Sequence, residues 1–139
     1  ASATALTADE LIDVQELVPD VYQANAMWVM SKATRTYIRK LKDGQGNYLL
    51  QKDSNAKWGY TLFGKDVFVS AKCADIAATK RTVFYGDFTG LAVKISEDIN
   101  IQVLMEKYAD EHVTGILGFL EMDSKVENQQ KISVLVQKA

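Results

Sequence analysis

The amino-acid sequence predicts an α+β fold. Two helical segments with one apolar face come first, and segments typical of β-strands fill most of the rest, an order expected for α+β proteins rather than for alternating βαβ units. Its 139 residues suffice for one compact domain with at most a small lobe. Hydrophobic residues make up 47% and charged residues 24% of the chain, which is typical of a protein that folds around a core.

The first helix is predicted to begin at Thr7. Thr7 and Glu10 have the spacing of a capping box, in which each side chain accepts a hydrogen bond from the other residue's backbone N–H. Leu11, Val14 and Val18 then recur at helical spacing and form one apolar face. The only proline, Pro19, follows directly and marks the end of this helix or the start of a new turn.

A buried strand and a second helix follow. The short, bulky apolar run Ala26–Met30 favours a strand, and Ser31 is a typical N-cap for the next element. Between Lys32 and Leu41 the apolar positions share one helical face and basic residues take the other.

The remainder is predicted to be rich in strands. Asp43–Asn47 is a dense turn signal, residues 51–57 form a polar loop, and Asp123–Lys125 is a polar turn. Alternation of apolar and polar residues gives the strand Ile99–Val103 one face in water. The predicted strands are Tyr48–Leu50, Val67–Val69, Thr82–Tyr85, Leu91–Ile95 and Ile99–Val103. Val113–Met122 is the longest apolar stretch, and Ile132–Val136 is the last apolar segment.

Charge and residue counts exclude several classes of protein. Sixteen basic against eighteen acidic residues give a net charge of -2, so no overall positive field attracts nucleic acid or an anionic membrane. A single cysteine, Cys73, and a single histidine, His112, form neither an internal disulfide nor a structural zinc site. Neither a secretion leader nor a run of eighteen apolar residues is present, and we expect an intracellular protein without a membrane partner.

A phosphate-binding loop is the most tempting catalytic motif. Gly59–Asp66 has the two glycines and the lysine at the right spacing, but Asp66 stands where Ser or Thr would hold magnesium. A polar loop precedes the motif and a predicted strand follows it, whereas a phosphate loop joins a strand to a helix. We therefore expect a glycine turn before a strand.

Other chemical motifs are equally weak. His112 lies in a charged stretch, and no Gly-x-Ser-x-Gly elbow accompanies it or Cys73. Asp43, Gln45 and Asn47 resemble half of a calcium loop whose glycine and final glutamate are missing. We expect no catalytic residue, no cofactor and no metal.

Large apolar residues are assigned to the core or to a contact. Trp28, Trp58, Phe63 and Phe68 are predicted to be buried, since a chain of this size needs bulky residues inside. The segment Gly115–Leu120 is too apolar for an exposed strand edge, so either the core or a partner must cover it.

Charge reverses between the two predicted helices. The first thirty residues contain five acids and no base, and a basic helix follows. Such complementary faces on identical copies can meet across subunits and set their register. The candidate interface consists of an acidic set, Asp9, Glu10, Asp13 and Glu16, and a basic set, Lys32, Arg35, Arg39 and Lys40.

Several short segments stand out by their order and spacing. They are Ala26–Ser31, Leu41–Leu49, Thr61–Gly64 before a strand, Phe84–Phe88 and Asp123–Val126. Together they resemble the C-terminal portion of a major capsid protein of the HK97-like family, found in tailed bacteriophages and prophages. The family usually has a proline where Asp66 stands, so this strand is expected to begin differently.

The resemblance implies a fragment of the HK97-like capsid fold, a mixed sheet flanked by helices with a β-rich extension. Residues 1–91 and 126–139 would form the A-domain, which lies near capsomer axes. Residues 92–125 would form the β-rich part of the P-domain. The N-terminal arm, extended loop and spine helix have no counterpart in the sequence, so the chain is expected to be a fragment.

The implied function is structural. Copies would assemble into pentamers and hexamers of an icosahedral shell, in the virion, after synthesis in the bacterial cytoplasm. Contact with packaged DNA would be indirect, and participation of a scaffold or a maturation protease stays open. An encapsulin-like compartment that encloses protein cargo is the alternative within this fold, and a small nucleotide-binding protein or hydrolase is the alternative outside it.

Overall fold

The computed structural model describes residues 5–104 and 113–138. Within these ranges the chain forms three α-helices and eight strands. The helices are α1 (Ala8–Glu16), α2 (Asp20–Gln23) and α3 (Lys32–Lys40). The strands are β1 (Met27–Met30), β2 (Leu50–Lys52), β3 (Tyr60–Leu62), β4 (Lys65–Val69), β5 (Arg81–Gly86), β6 (Leu91–Leu104), β7 (Gly115–Val126) and β8 (Ile132–Val136).

The chain divides into two compact units. The first, Ala1–Gly90 with Asn128–Ala139, is called the sheet unit below, and the second, Leu91–Glu127, is called the ribbon. The sheet unit contains one six-stranded sheet in the order β2-β3-β4-β1-β5-β8. β1 and β4 are parallel, and the other pairs are antiparallel, so the sheet is mixed as predicted.

Trp28 anchors the core of the sheet unit. Its ring centroid lies 4.4 Å from that of Tyr85 on β5, and its indole Nε1–H donates to the Leu62 carbonyl at 3.1 Å. Trp28 and Tyr85 are opposite each other in the register and share the buried face of the sheet. The Ser133 hydroxyl donates to the Val14 carbonyl at 2.7 Å, which holds α1 against this face.

Local capping determines where the helices begin, and these predictions are confirmed. Thr7 and Glu10 form the reciprocal capping box of α1, and the Ser31 side chain accepts from the Thr34 N–H at the start of α3. Pro19 follows α1 and directly precedes the additional short helix α2. Burial of Thr34 and Ile38 confirms the predicted inner face of α3.

The segment Gly59–Asp66 forms a β-hairpin. Phe63 and Gly64 connect β3 to β4 with φ angles of 48° and 74°, as in a two-residue type I′ turn. No helix follows this segment; β4 does, which excludes the phosphate-loop geometry. The sequence prediction missed β3, and it placed the start of β4 two residues late.

Other predictions need correction. Trp58 is half-buried and packs edge-on, at 5.2 Å, against Phe68, which is exposed, so neither belongs to the buried core as predicted. β2 begins at Leu50 and extends into the predicted polar loop. Asp123–Lys125 is not a turn, because these residues pair with β6 inside β7.

The ribbon consists of β6 and β7 in antiparallel pairing. β6 is continuous, although two separate strands were predicted. From Leu91 to Val103, every odd-numbered residue of β6 is apolar except Glu97. Register shifts on both sides pair Glu97 with Glu121, so the bulges turn its charge away from the apolar residues.

Candidate assembly surfaces

The acidic set lies on α1. Asp9, Asp13 and Glu16 are exposed and follow each other at helical spacing on the side away from the buried Leu11. Glu10 differs from them, because it is half-buried and its carboxylate accepts from the Thr7 N–H at 3.1 Å. Glu10 therefore stabilises the start of α1, and the three exposed carboxylates form the charged surface.

The basic set lies on α3 and includes two arginines that share one aromatic partner. The Arg35 and Arg39 guanidinium carbons lie 4.8 and 5.6 Å from the centroid of the Tyr60 ring, and Arg39 Nη1 donates to the Tyr60 hydroxyl at 3.4 Å. Lys32 and Lys40 are exposed. Sequence reasoning missed Tyr60, because it lies on β3, whose pairing depends on the hairpin turn.

The two charged sets belong to different ends of the sheet. α1 packs against β8 and β5, whereas α3 packs against β2 at the opposite edge. Five strand spacings separate β8 from β2, or roughly 24 Å. Among the described residues, no ion pair joins Asp9, Asp13 or Glu16 to the basic set; Lys131 and Asp87 form an ion pair at 3.8 Å. One copy therefore presents two complementary surfaces apart from each other.

The ribbon has one apolar face that is open to water. Facing residues of paired strands point to the same side, which places the apolar residues of β6 and the even-numbered ones of β7 together. Their exposed fractions run from 40% at Leu91 to 74% at Ile116. The apolar face consists of Leu91, Val93, Ile95, Ile99, Ile101, Val103, Ile116, Leu120 and Met122.

The exposed apolar face of the ribbon bears on two predictions from the sequence. Asn100 and Gln102 are exposed as predicted, although they pair with Phe119 and Leu117, and the opposite face is exposed as well. A two-stranded ribbon alone is at best marginally stable, and an exposed apolar surface of this length is typical of an interaction site. Ile116–Leu120 is exposed within the ribbon, which leaves a partner as the other predicted cover.

The remaining chemical candidates stay isolated. Burial raises the pKa of the Cys73 thiol, which disfavours a thiolate nucleophile, and His112 lies outside the described residues. The backbone N–H of Asn47 holds the pKa of the Asp43 carboxyl below its usual value, and this N–H and that of Gln45 donate to the carboxylate at 2.8 and 2.9 Å. This carboxylate therefore closes its own turn.

Metal binding and membrane crossing find no support in the described part of the chain. Residues 5–104 and 113–138 contain no cluster of three His, Cys, Asp or Glu side chains close enough to share a metal ion. In the same ranges, no helix has both the length and the apolar composition that crossing a bilayer requires.

Comparison with known proteins identifies the family. The sequence model of the phage capsid family matches residues 1–136. Two solved structures of gene transfer agent (GTA) capsids, one from the empty and one from the native particle, superpose on the whole chain with TM-scores of 0.81 and 0.80 at 26% and 27% identity. No curated protein sequence matches significantly.

The match to these capsids has a defined extent. It covers 100% of this chain and 48% of each solved chain, so the chain spans about half the length of the capsid proteins it matches. Both units lie within the matched region, the mixed sheet as well as the ribbon. Because the family model matches nearly its whole length, the chain belongs to the phage capsid family.

Proposed function

We propose that this chain is part of a major capsid protein that assembles into the icosahedral shell of a tailed phage, a prophage or a related particle. The observation that carries the proposal is the superposition of the entire chain, at a TM-score of 0.81, on the capsid of a gene transfer agent. In such a protein the function is mechanical, and the chain needs no catalytic group. The protein is located in the particle, and we expect assembly in the bacterial cytoplasm.

The two units have separate roles in this proposal. The sheet unit is the A-domain near the axes of pentamers and hexamers, and the ribbon is part of the P-domain. The unit boundaries at residues 90–91 and 127–128 support this assignment, since they lie within two residues of the boundaries that the sequence predicts.

Assembly uses complementary surfaces at the two ends of the sheet. A contact between different surfaces of identical subunits is heterologous, and repeated with a closing rotation it generates a ring. The acidic set of one copy and the basic set of the next satisfy this geometry, because the two sets lie near opposite edges of the sheet within a copy. Each contact is weak and screened by salt, and many identical contacts make the shell stable.

In this proposal the contact between the shell and DNA is indirect. The net charge of -2 supports enclosure by shape and volume rather than by binding to phosphates or bases. A scaffolding protein and a maturation protease are further partners whose participation the assembly experiment addresses directly.

The first test is negative-stain electron microscopy of the protein that contains this chain, expressed alone and then with its neighbouring genes. Closed shells of uniform diameter are expected. Enclosed DNA supports a capsid, whereas enclosed protein identifies an encapsulin-like compartment. Small monodisperse particles under both conditions would contradict the assembly proposal.

The second test reverses the charge of the basic set. Lys32→Glu with Lys40→Glu changes two exposed lysines and leaves the Arg35 and Arg39 contacts with Tyr60 in place. We expect assembly to fail while the circular dichroism spectrum and Tm stay unchanged. Lys72→Glu with Lys80→Glu, the same change at exposed loop positions, is the matched control. Normal shells from the first variant would exclude this surface.

A further inference from the structure

A groove lies beside the basic set, between α3 and β2. It has a volume of about 780 Å³, and its walls include Arg39 and Lys40 from α3 and Leu50 and Lys52 from β2. Tyr48 also lines it. The groove is open to solvent at the edge strand of the sheet, where a neighbouring molecule can enter it.

The walls of this groove are amphipathic. Leu50 is buried, and the half-exposed Tyr48 ring provides an apolar surface with the Lys42 ammonium 4.9 Å from its centroid. The cationic groups of Arg39, Lys40 and Lys52 surround this apolar part, and all three residues are exposed. Such a groove fits a segment that carries apolar side chains between carboxylates.

The corner between α1 and α2 is a segment of that kind. Val21 is 83% exposed and Leu17 69%, which makes them the two most exposed large apolar residues in the described part of the sheet unit. Glu16 directly precedes Leu17 and Asp20 directly precedes Val21, and both acids are also exposed. Exposure of two large apolar side chains within five residues, each next to an acid in the sequence, is typical of a contact surface.

Hydrogen bonds fix the backbone of the corner. The Leu17 N–H donates to the Asp13 carbonyl at 3.1 Å, and the Gln23 side chain donates to the Val18 carbonyl at 3.0 Å. Val18 itself is buried between the exposed Leu17 and Val21. A preformed corner of this kind loses little conformational entropy on docking.

We propose that the α1–α2 corner of one copy docks into the α3–β2 groove of a second copy of this chain. Charge complementarity supports this occupant, since the corner carries carboxylates and the groove carries three cationic side chains. The groove lies at the β2 edge, whereas α1 packs at the β8 edge, so the two surfaces belong to opposite ends of one sheet. This inference rests on the proposed function and defines its subunit contact.

Disulfide trapping tests the contact directly. In a Cys73→Ser background, Val21→Cys and Lys52→Cys place one thiol on the corner and one in the groove. Mild oxidation of assembled shells should give a ladder of linked chains that ends at five or six copies. Shells that form normally and give no ladder would overturn the proposal. Each single-cysteine variant is the control, because it cannot form a chain of links.

Point variants test the energetics. Val21→Arg and Lys52→Glu each change an exposed side chain, so the fold should persist, and each should lower the yield of shells about tenfold because the loss repeats at every contact. Combining Lys52→Glu with Asp20→Lys should restore part of the yield. Val136→Arg and Lys80→Glu, also at exposed positions, should leave it unchanged.

The outcomes separate this inference from the proposed function. If the wild-type protein forms no shells under any condition, the assembly proposal itself fails. If the wild-type protein forms shells and both Val21→Arg and Lys52→Glu do so with full yield, the corner-in-groove contact is wrong and the capsid function stands.

Discussion

The two units of this chain bury their apolar residues in different ways. In the sheet unit, α1 and α3 share one core with the sheet, and residues such as Trp28, Met30 and Val83 are fully buried. In the ribbon, residues of the same chemical type alternate just as regularly, yet Ile99 and Ile116 are mostly exposed. Alternation along a strand thus predicts which residues share a face, but not what covers that face.

This contrast fits the subunit of an assembly. A unit that closes its own core can fold before it meets a partner, whereas a ribbon with an open apolar face gains most of its stability when another surface covers it. We therefore expect substitutions in the two units to affect different measurements. Substitutions in the sheet unit should lower the free energy of unfolding, and substitutions in the ribbon should lower self-association.

The largest effect is expected from Trp28→Ala. The substitution removes the ring that contacts Tyr85 and the hydrogen bond to the Leu62 carbonyl, and it leaves a cavity in the centre of the sheet unit. Large-to-small changes of this kind cost about 3–5 kcal/mol. Urea denaturation followed by circular dichroism measures the loss. Wild-type stability would show that this ring does not anchor the core.

A smaller effect on stability is expected when one glycine in each unit is replaced by alanine, and the two units should respond differently. Gly86 has a φ of 150°, and a Cβ there would lie 2.1 Å from the Lys131 carbonyl oxygen, so Gly86→Ala forces the backbone to move. We expect a cost of roughly 1–3 kcal/mol. Gly118 on β7 has no atom within 4 Å of an added Cβ, and Gly118→Ala should be neutral or slightly stabilising.

Thermal unfolding of Gly86→Ala and Gly118→Ala measures this difference in stability. If Gly118→Ala destabilises the chain as much as Gly86→Ala does, the ribbon is packed more closely than its exposure indicates. The comparison between the two units would then be wrong.

Local chemistry made part of the fold predictable. The capping residues Thr7 and Ser31 determine helix starts through hydrogen bonds to residues three positions away, and the sequence shows both. The hairpin between β3 and β4 was missed because Phe63, not a typical turn residue, adopts a positive φ. Phe63 lies in the turn between the paired strands β3 and β4, and this pairing is not visible in the local sequence pattern.

The candidate site was predictable to the same degree. Sequence identified the charged residues of α1 and α3, since charge patterning is local. It could not identify the groove, because β2 and α3 meet only in the tertiary structure. It placed Glu10 both in the capping box and in the acidic set, and the structure shows that Glu10 completes the cap while Asp13 is exposed.

A moderate pH dependence is expected from the sheet unit. Backbone hydrogen bonding from the Thr89 N–H lowers the pKa of the Asp87 carboxyl, and the Lys131 ammonium lowers it further. A carboxyl whose folded-state pKa lies below its ordinary value, near 3.9, stabilises the fold above that value, and this contribution is lost as pH falls towards the lowered pKa. Asp87→Asn should therefore lower Tm by about 3 °C at pH 7 and by less at pH 3.

The ribbon supplies the matched control for this titration. Asp98→Asn makes the same substitution at an exposed position on β6, and it should leave Tm at pH 7 unchanged. A Tm difference between wild type and Asp87→Asn that stays constant between pH 7 and pH 3 would contradict the assigned role of Asp87.

The smallest effect on stability, and the clearest effect on association, is expected from Ile99→Thr with Ile101→Thr. Threonine keeps the strand propensity of β6 but makes its apolar face more polar, and both positions are already exposed, so Tm should change by about 1 °C or less. Light scattering should show less self-association of the chain. Val83→Thr, the same kind of change at a buried position of β5, should instead lower stability by about 1–3 kcal/mol. A large loss of Tm in the ribbon variant would mean that its apolar face is already covered, and the contrast between the two units would disappear.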